Sequence, residues 1–164
     1  MGISESGQSA AMAPELDTQQ WFNAREPVAL AALRGKVVVI EAFQMLCPGC
    51  VSHGLPQAMR IHDSFDPADV AVLGLHTVFE HHEAMTPISL AAFLHEYRIR
   101  FPVGVDVPDG KGMPKTMAAY RMQGTPTLIL IDRLGRLRAQ HFGSVSDLQV
   151  GAEIMMLMLE SPRA

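Results

Sequence analysis

The run Val37-Val38-Val39-Ile40-Glu41-Ala42-Phe43 constrains the fold more than any other stretch, because it is β-branched and almost unbroken in apolar character. A strand with one wet face alternates apolar and polar residues, whereas an unbroken run has to be covered on both faces. Such a strand belongs at the centre of an α/β sheet with helices on either side. Arg34-Gly35 is the turn that leads into it through Lys36. Shortly after the run comes Cys47-Pro48-Gly49-Cys50, which holds the only two cysteines of the chain. Where a strand gives way to a helix, this spacing lets a short loop close a disulfide, and the helix N-terminus lowers the pKa of the first thiol. The pattern points to thiol chemistry.

The remaining segments read as an alternation of strands and helices. Trp21-Phe22 and Val28-Ala29-Leu30 look like short edge segments. Val51, Leu55, Ala58, Met59 and His62 recur at helical spacing, which predicts one helix over about 48–64, kinked at Pro56. Residues 70–78 form a second buried strand, 87–98 a helix with Pro87 near its start, and 101–105 a short strand. A Gly-rich loop over 109–113 precedes a short helix over 114–121. The strand 125–132, the turn Arg133-Leu134-Gly135 and the strand 136–142 make an antiparallel hairpin, and a helix over 147–160 closes the chain.

With 164 residues, 48% of them hydrophobic and 18% charged, the chain suits one globular domain. Residues 1–13 are rich in Ser, Gly and Ala without apolar periodicity, so they read as a disordered leader or appended sequence with Met12 as an alternative start. The domain is expected over 14–164. A myristoylation-like pattern at Gly2 is too short to carry weight. The net charge of -4 argues against nucleic acid or an anionic membrane as partner. No apolar run approaches the roughly 20 residues that span a bilayer, and no secretory signal pattern opens the chain, so a soluble protein is expected.

The order of strand, Cys-x-x-Cys helix, strand, helix, Thr-Pro strand, hairpin and final helix resembles the thioredoxin fold. More narrowly it is similar to the TlpA-like and peroxiredoxin-related thiol-disulfide oxidoreductases, over roughly residues 21–159. The residues that carry the resemblance are Leu33-Arg34-Gly35-Lys36-Val37-Val38 leading to Cys47-Pro48-Gly49-Cys50, then Phe101-Pro102-Val103, then Gly124-Thr125-Pro126-Thr127 through Asp132, with Gly135. It implies a central mixed sheet flanked by helices, with the extra strand-helix insertion of the TlpA and peroxiredoxin types.

Within that resemblance Cys47, at the head of the helix, is the expected nucleophile, and Cys50, a turn inside it, the resolving thiol. Pro48 lacks an N–H beside the Cys47 sulfur, and Gly49 leaves the surface above the thiols uncovered. Glu41 occupies the place where thioredoxins carry a buried acid. In an apolar strand its pKa should rise, fitting it to exchange a proton with Cys50, unless the position faces a wet edge or pairs with a lysine or arginine. TlpA-type proteins usually carry asparagine there. Thr125-Pro126 resembles the family's cis-proline element, which implies a clamp for an extended segment of the partner; a trans proline opening an edge strand is the alternative.

Leu46 stands where thioredoxins carry tryptophan, and Pro56 lies one residue later than in typical members. No Pro-x-x-x-Thr-x-x-Cys precedes Cys47, so thiol peroxidase activity is the second reading. The third is a metal-binding protein using Cys47 and Cys50 with His53 or the His81-His82 pair. His76, His81 and His82 fall near the carboxyl end of the second strand and could flank the thiols. The expectation is a monomeric or weakly dimeric oxidoreductase with antioxidant activity and no metal or organic cofactor. It would act on protein disulfides and be reset by a dithiol reductant, in the cytoplasm or, had a signal been removed, in the periplasm.

Overall fold

A computed structural model describes residues 10–110 and 112–160. Its core is a six-stranded mixed sheet in the order β1-β4-β3-β2-β5-β6. The central strand is β2 (Val37–Phe43), whose seven residues are all buried. It runs parallel to β3 (Val70–His76) and antiparallel to β5 (Thr127–Ile131). Outward from β3 lie β4 (Val103–Asp106), parallel to it, and β1 (Thr18–Phe22), antiparallel to β4. On the other side β6 (Leu137–Phe142) pairs antiparallel with β5.

Side chains of β2 alternate between two cores, as the period of a strand requires. Val37, Val39 and Phe43 pack with Leu55, Ala58 and Ile61 of α1 (Leu55–Ser64), Leu90 and Leu94 of α2 (Pro87–Glu96), and Val150, Ile154 and Leu157 of α4 (Asp147–Leu159). Val38, Ile40 and Ala42 face the other way, onto Leu16, Leu30, Tyr120 and Met117 of α3 (Lys115–Ala119). Full burial of each such aliphatic side chain stabilises the fold by about 1.5–3 kcal/mol, which is why so apolar a strand lies only at the centre. The stretch β3–α2–β4 supplies the expected strand-helix insertion ahead of β5. No helix among the described residues is long and apolar enough to cross a membrane.

Two local readings need correction, and one segment ahead of the sheet has to be added. Residues 28–30 are not an edge strand: Leu30–Leu33 is a 3₁₀ turn. The free N–H groups of Leu30 and Ala31 at its start donate to the Glu15 carboxylate, a distant cap that no local pattern announces. The residues just ahead of the expected domain start at residue 14 pair with the sheet edge. Met12 bridges Arg136, the Ala13 N–H donates to the Gly135 carbonyl at 2.9 Å, and the Leu137 N–H donates to the Ala11 carbonyl at 2.9 Å. Residues 11–13 thus meet open backbone groups at the β6 edge. Residues 1–9 of the expected leader lie outside the described set. Finally, the disturbance expected at Pro56 appears just ahead of it, as a π-turn over Cys50–Gly54 in which the Leu55 N–H reaches back to the Cys50 carbonyl.

Candidate active site

The end of β2, the head of the next helix and the start of β5 meet at the cysteines. After Phe43 the chain turns through Gln44, Met45 and Leu46, and the Cys47 N–H donates to the Gln44 carbonyl at 3.2 Å. Pro48 opens the helix, where its missing N–H costs no bond. The Cys47 carbonyl accepts the N–H groups of Cys50 and Val51, each at 3.1 Å. The Cys50 N–H also lies 3.3 Å from Cys47 Sγ, so the first turn of the helix directs a donor at that sulfur. Both cysteines are free thiols, Cys47 9% exposed and Cys50 fully buried. Burial, and then its contact with Cys47, push the Cys50 thiol far above its ordinary range, although hydrogen bonds from Gln44 and Thr125 offset part of the rise.

Thr125 comes from far along the chain. Its carbonyl lies 3.5 Å from Cys47 Sγ, within reach of the thiol proton, and the Thr125–Pro126 peptide bond is cis. Pro126 also packs on the helix: a Cβ at Gly49 would stand 3.2 Å from Pro126 Cδ. Pro48, Gly49 and Thr125 therefore form one surface beside Cys47, with Pro126 buried beneath it. Beside it Leu46 is 56% exposed, an apolar side chain in open view of the thiols.

Glu41 lies behind this surface, on the α1 side of β2. Its side chain is 1% exposed, and Oε1 has no hydrogen-bond partner. No ion pair among the described residues involves Glu41, so it neither faces a wet edge nor meets a lysine or arginine there. Burial, and secondarily the charge of Cys47, raise its carboxyl well above the usual range. Gly54 makes room for it. A Cβ on Gly54 would stand 2.2 Å from Glu41 Oε1 and 2.9 Å from Pro126 Cβ. The sequence reading passed over Gly54, although a glycine inside a helix costs roughly 1 kcal/mol against alanine and so signals a close approach.

The histidines separate. His76, at the end of β3, is buried; its Nε2 accepts the Met45 N–H at 3.4 Å, and burial lowers its pKa to about 4, so it is neutral near pH 7. His53 Nε2 meets the Val145 carbonyl at 2.9 Å. His81 and His82 sit on the loop after β3 and line a cleft of about 500 Å³ with Glu83, Ala84 and Gly110. Among the described residues no group of three or more His, Cys, Asp or Glu side chains could hold a metal ion. Gln44 is the other residue that the motifs did not single out: its buried amide reaches both Thr125 and Phe79.

Comparison with known proteins agrees with this architecture. The model of the AhpC/TSA family matches residues 9–140. A crystal structure of a thioredoxin-like superfamily protein is 67% identical, with a TM-score of 0.91 over 93% of this chain and 99% of that one. A thiol-disulfide isomerase from Corynebacterium glutamicum is 50% identical, with a TM-score of 0.89 over 94% of this chain and 99% of that one. The thiol-disulfide oxidoreductase ResA of Halalkalibacterium halodurans is 25% identical over 134 residues, 81% of this chain and 68% of that protein. Protein DipZ of Mycobacterium tuberculosis is 29% identical over 139 residues; the match takes in 83% of this chain but spans only 19% of the length of DipZ.

Proposed function

The chain belongs to the AhpC/TSA family and has a thioredoxin-like fold, and on that premise we propose that it is a thiol-disulfide oxidoreductase that reduces disulfides of protein substrates by dithiol exchange. The observation that carries this reading is the setting of Cys47: its sulfur lies between the Cys50 N–H at 3.3 Å and the Thr125 carbonyl at 3.5 Å, at the one place where the buried pair reaches the surface.

In the proposed cycle the Cys47 thiolate attacks one sulfur of the partner's disulfide. The partner's S–S bond breaks, its second sulfur leaves as a thiolate that takes up a proton, and Cys47 holds the first in a mixed disulfide. Thr125 and the surface at Pro48 and Gly49 seat the extended partner segment, the Thr125 backbone pairing with it, while Pro126 lies buried beneath them. Cys50 then has to lose its proton in a place that strongly disfavours its thiolate. Glu41 supports this step. A carboxyl in the ordinary range is too weak a base near pH 7, but one raised by burial can take the Cys50 proton in its ionised form and return it later. The Cys50 thiolate attacks Cys47 Sγ, the mixed disulfide breaks, and the partner leaves with both sulfurs reduced. Two electrons have passed to it, and the Cys47–Cys50 disulfide that remains is reset by a dithiol donor.

Insulin reduction by dithiothreitol-primed protein tests the reading. Cys47→Ser should abolish it, and persistent activity would show that another group attacks. The equilibrium potential of the pair against glutathione tests the direction: a value near the reducing end supports net reduction, and one near the oxidising end reverses it.

A further inference from the structure

Gln44 reaches Cys47, Thr125 and Phe79, yet the exchange cycle gives it no part. It is 1% exposed and occupies the turn between β2 and Cys47. Its backbone carbonyl holds the Cys47 N–H at 3.2 Å. Its side chain is bonded at both ends: Oε1 accepts the Phe79 N–H at 3.1 Å, and Nε2 donates to Thr125 Oγ1 at 3.4 Å. The Phe79 N–H can only donate, so it orients the amide and turns Nε2 toward Thr125. Thr125 is the residue whose carbonyl faces Cys47 Sγ.

The residues that follow Gln44 are fastened to the same distant segment. The Met45 N–H meets His76 Nε2 at 3.4 Å, and the Leu46 N–H meets Met85 Sδ at 3.5 Å. The stretch from His76 to Met85 is thereby held along one side of the cysteine turn, and Thr125 lies on another. Among these contacts, the Gln44 side chain alone joins the two sides.

We propose that Gln44 is a positioning residue for exchange with protein disulfides, holding the Thr125 backbone and the loop after β3 in place around Cys47 so that a partner segment can be seated. This rests on the dithiol-exchange reading above. Bond making at sulfur does not use the amide, so a small disulfide that needs no seating reacts without it. A protein disulfide depends on the placement of Thr125, and its binding weakens once that placement is lost.

Gln44→Met keeps the length of the side chain and removes both of its hydrogen bonds. Gln44→Leu removes both hydrogen bonds with a shorter apolar side chain and serves as a second variant. With insulin as substrate, each variant should raise KM about tenfold, the order expected for one lost neutral hydrogen bond. The rate of Cys47 with oxidised glutathione should change by less than about twofold.

A KM for insulin unmoved in both variants, or lost only in proportion to the glutathione reaction, leaves Gln44 a merely structural residue and overturns the proposal. If Gln44→Met does not fold, Gln44→Leu decides by the same KM. Wild-type protein that reacts with oxidised glutathione but never reduces insulin overturns the protein-disulfide reading, and this proposal with it. Wild-type reduction of insulin with unmoved variants overturns the role of Gln44 alone.

Discussion

Glu41 and Asp132 are both carboxylates buried in the sheet, 1% and 3% exposed, and the molecule treats them in opposite ways. Asp132 follows β5, just beyond the pairing of Ile131 with Val38, while Glu41 pairs with Leu128 nearer the cysteine end. Burial alone would raise Asp132, but hydrogen bonds from the Arg136 backbone, Arg138 and Arg136 outweigh it and hold the carboxyl below its usual range. Its Oδ1 also accepts the Leu134 N–H at 3.0 Å and so shapes the turn to β6. Glu41 has a glycine against it, an oxygen without a partner, and a raised pKa. A buried acid given every partner serves the fold, whereas one left without them is a reservoir for a proton.

The sharpest way to break this comparison is to remove each acid in turn. Asp132→Ala leaves Arg138, itself 1% exposed, without one of its carboxylates and should cost about 3 kcal/mol by denaturant melting. The reactivity of Cys47 in the protein that remains folded should not change. Glu41→Met should act in the reverse sense. Insulin reduction falls about 100-fold as the proton acceptor for Cys50 is lost, while stability rises by about 1 kcal/mol because an unpartnered buried oxygen is gone. Unchanged turnover in Glu41→Met would remove Glu41 from the cycle.

The pH dependence of stability separates the two acids more finely. Glu41 is raised in the folded state, so above its unfolded value near 4.5 the unfolded chain ionises first and stability falls as pH rises toward the folded pKa. Asp132 is lowered, so its contribution is present above its unfolded value near 3.8 and is lost as pH falls below it. His76, lowered from 6.5 to about 4, adds stability that is complete above 6.5 and lost on acidification through that window. Because His76 opposes Glu41 between 4.5 and 6.5, the Glu41 slope has to be read as wild type minus Glu41→Met. That difference should become more negative as pH rises; a flat difference would mean that Glu41 titrates in its ordinary range.

Legibility followed the range of the interactions. The central strand, the helix after the cysteines and the hairpin closed by Gly135 were readable because hydrophobic period and turn chemistry act within a few residues. The 3₁₀ turn at Leu30–Leu33 was not, since its cap is Glu15. The attachment of Ala11 and Ala13 was not either, because it depends on open backbone groups near Gly135 and Leu137. At the site, Cys47, Cys50, Glu41 and Thr125-Pro126 stood out through a motif that the chain shares with a family. Gln44 belongs to no such motif, and its partners Phe79 and Thr125 lie 35 and 81 residues away.

By itself the sequence determined that an apolar strand would run into a pair of thiols at the head of a helix, because strand period, proline placement and cysteine spacing are local properties. Only the tertiary structure decided what surrounds those thiols. The order β3-β2-β5 brings Thr125 to Cys47 across 78 residues, and the packing of the helix at Gly54 closes over Glu41 and takes away its water. Both outcomes depend on which strands become neighbours, and that is settled by burial summed over the whole sheet.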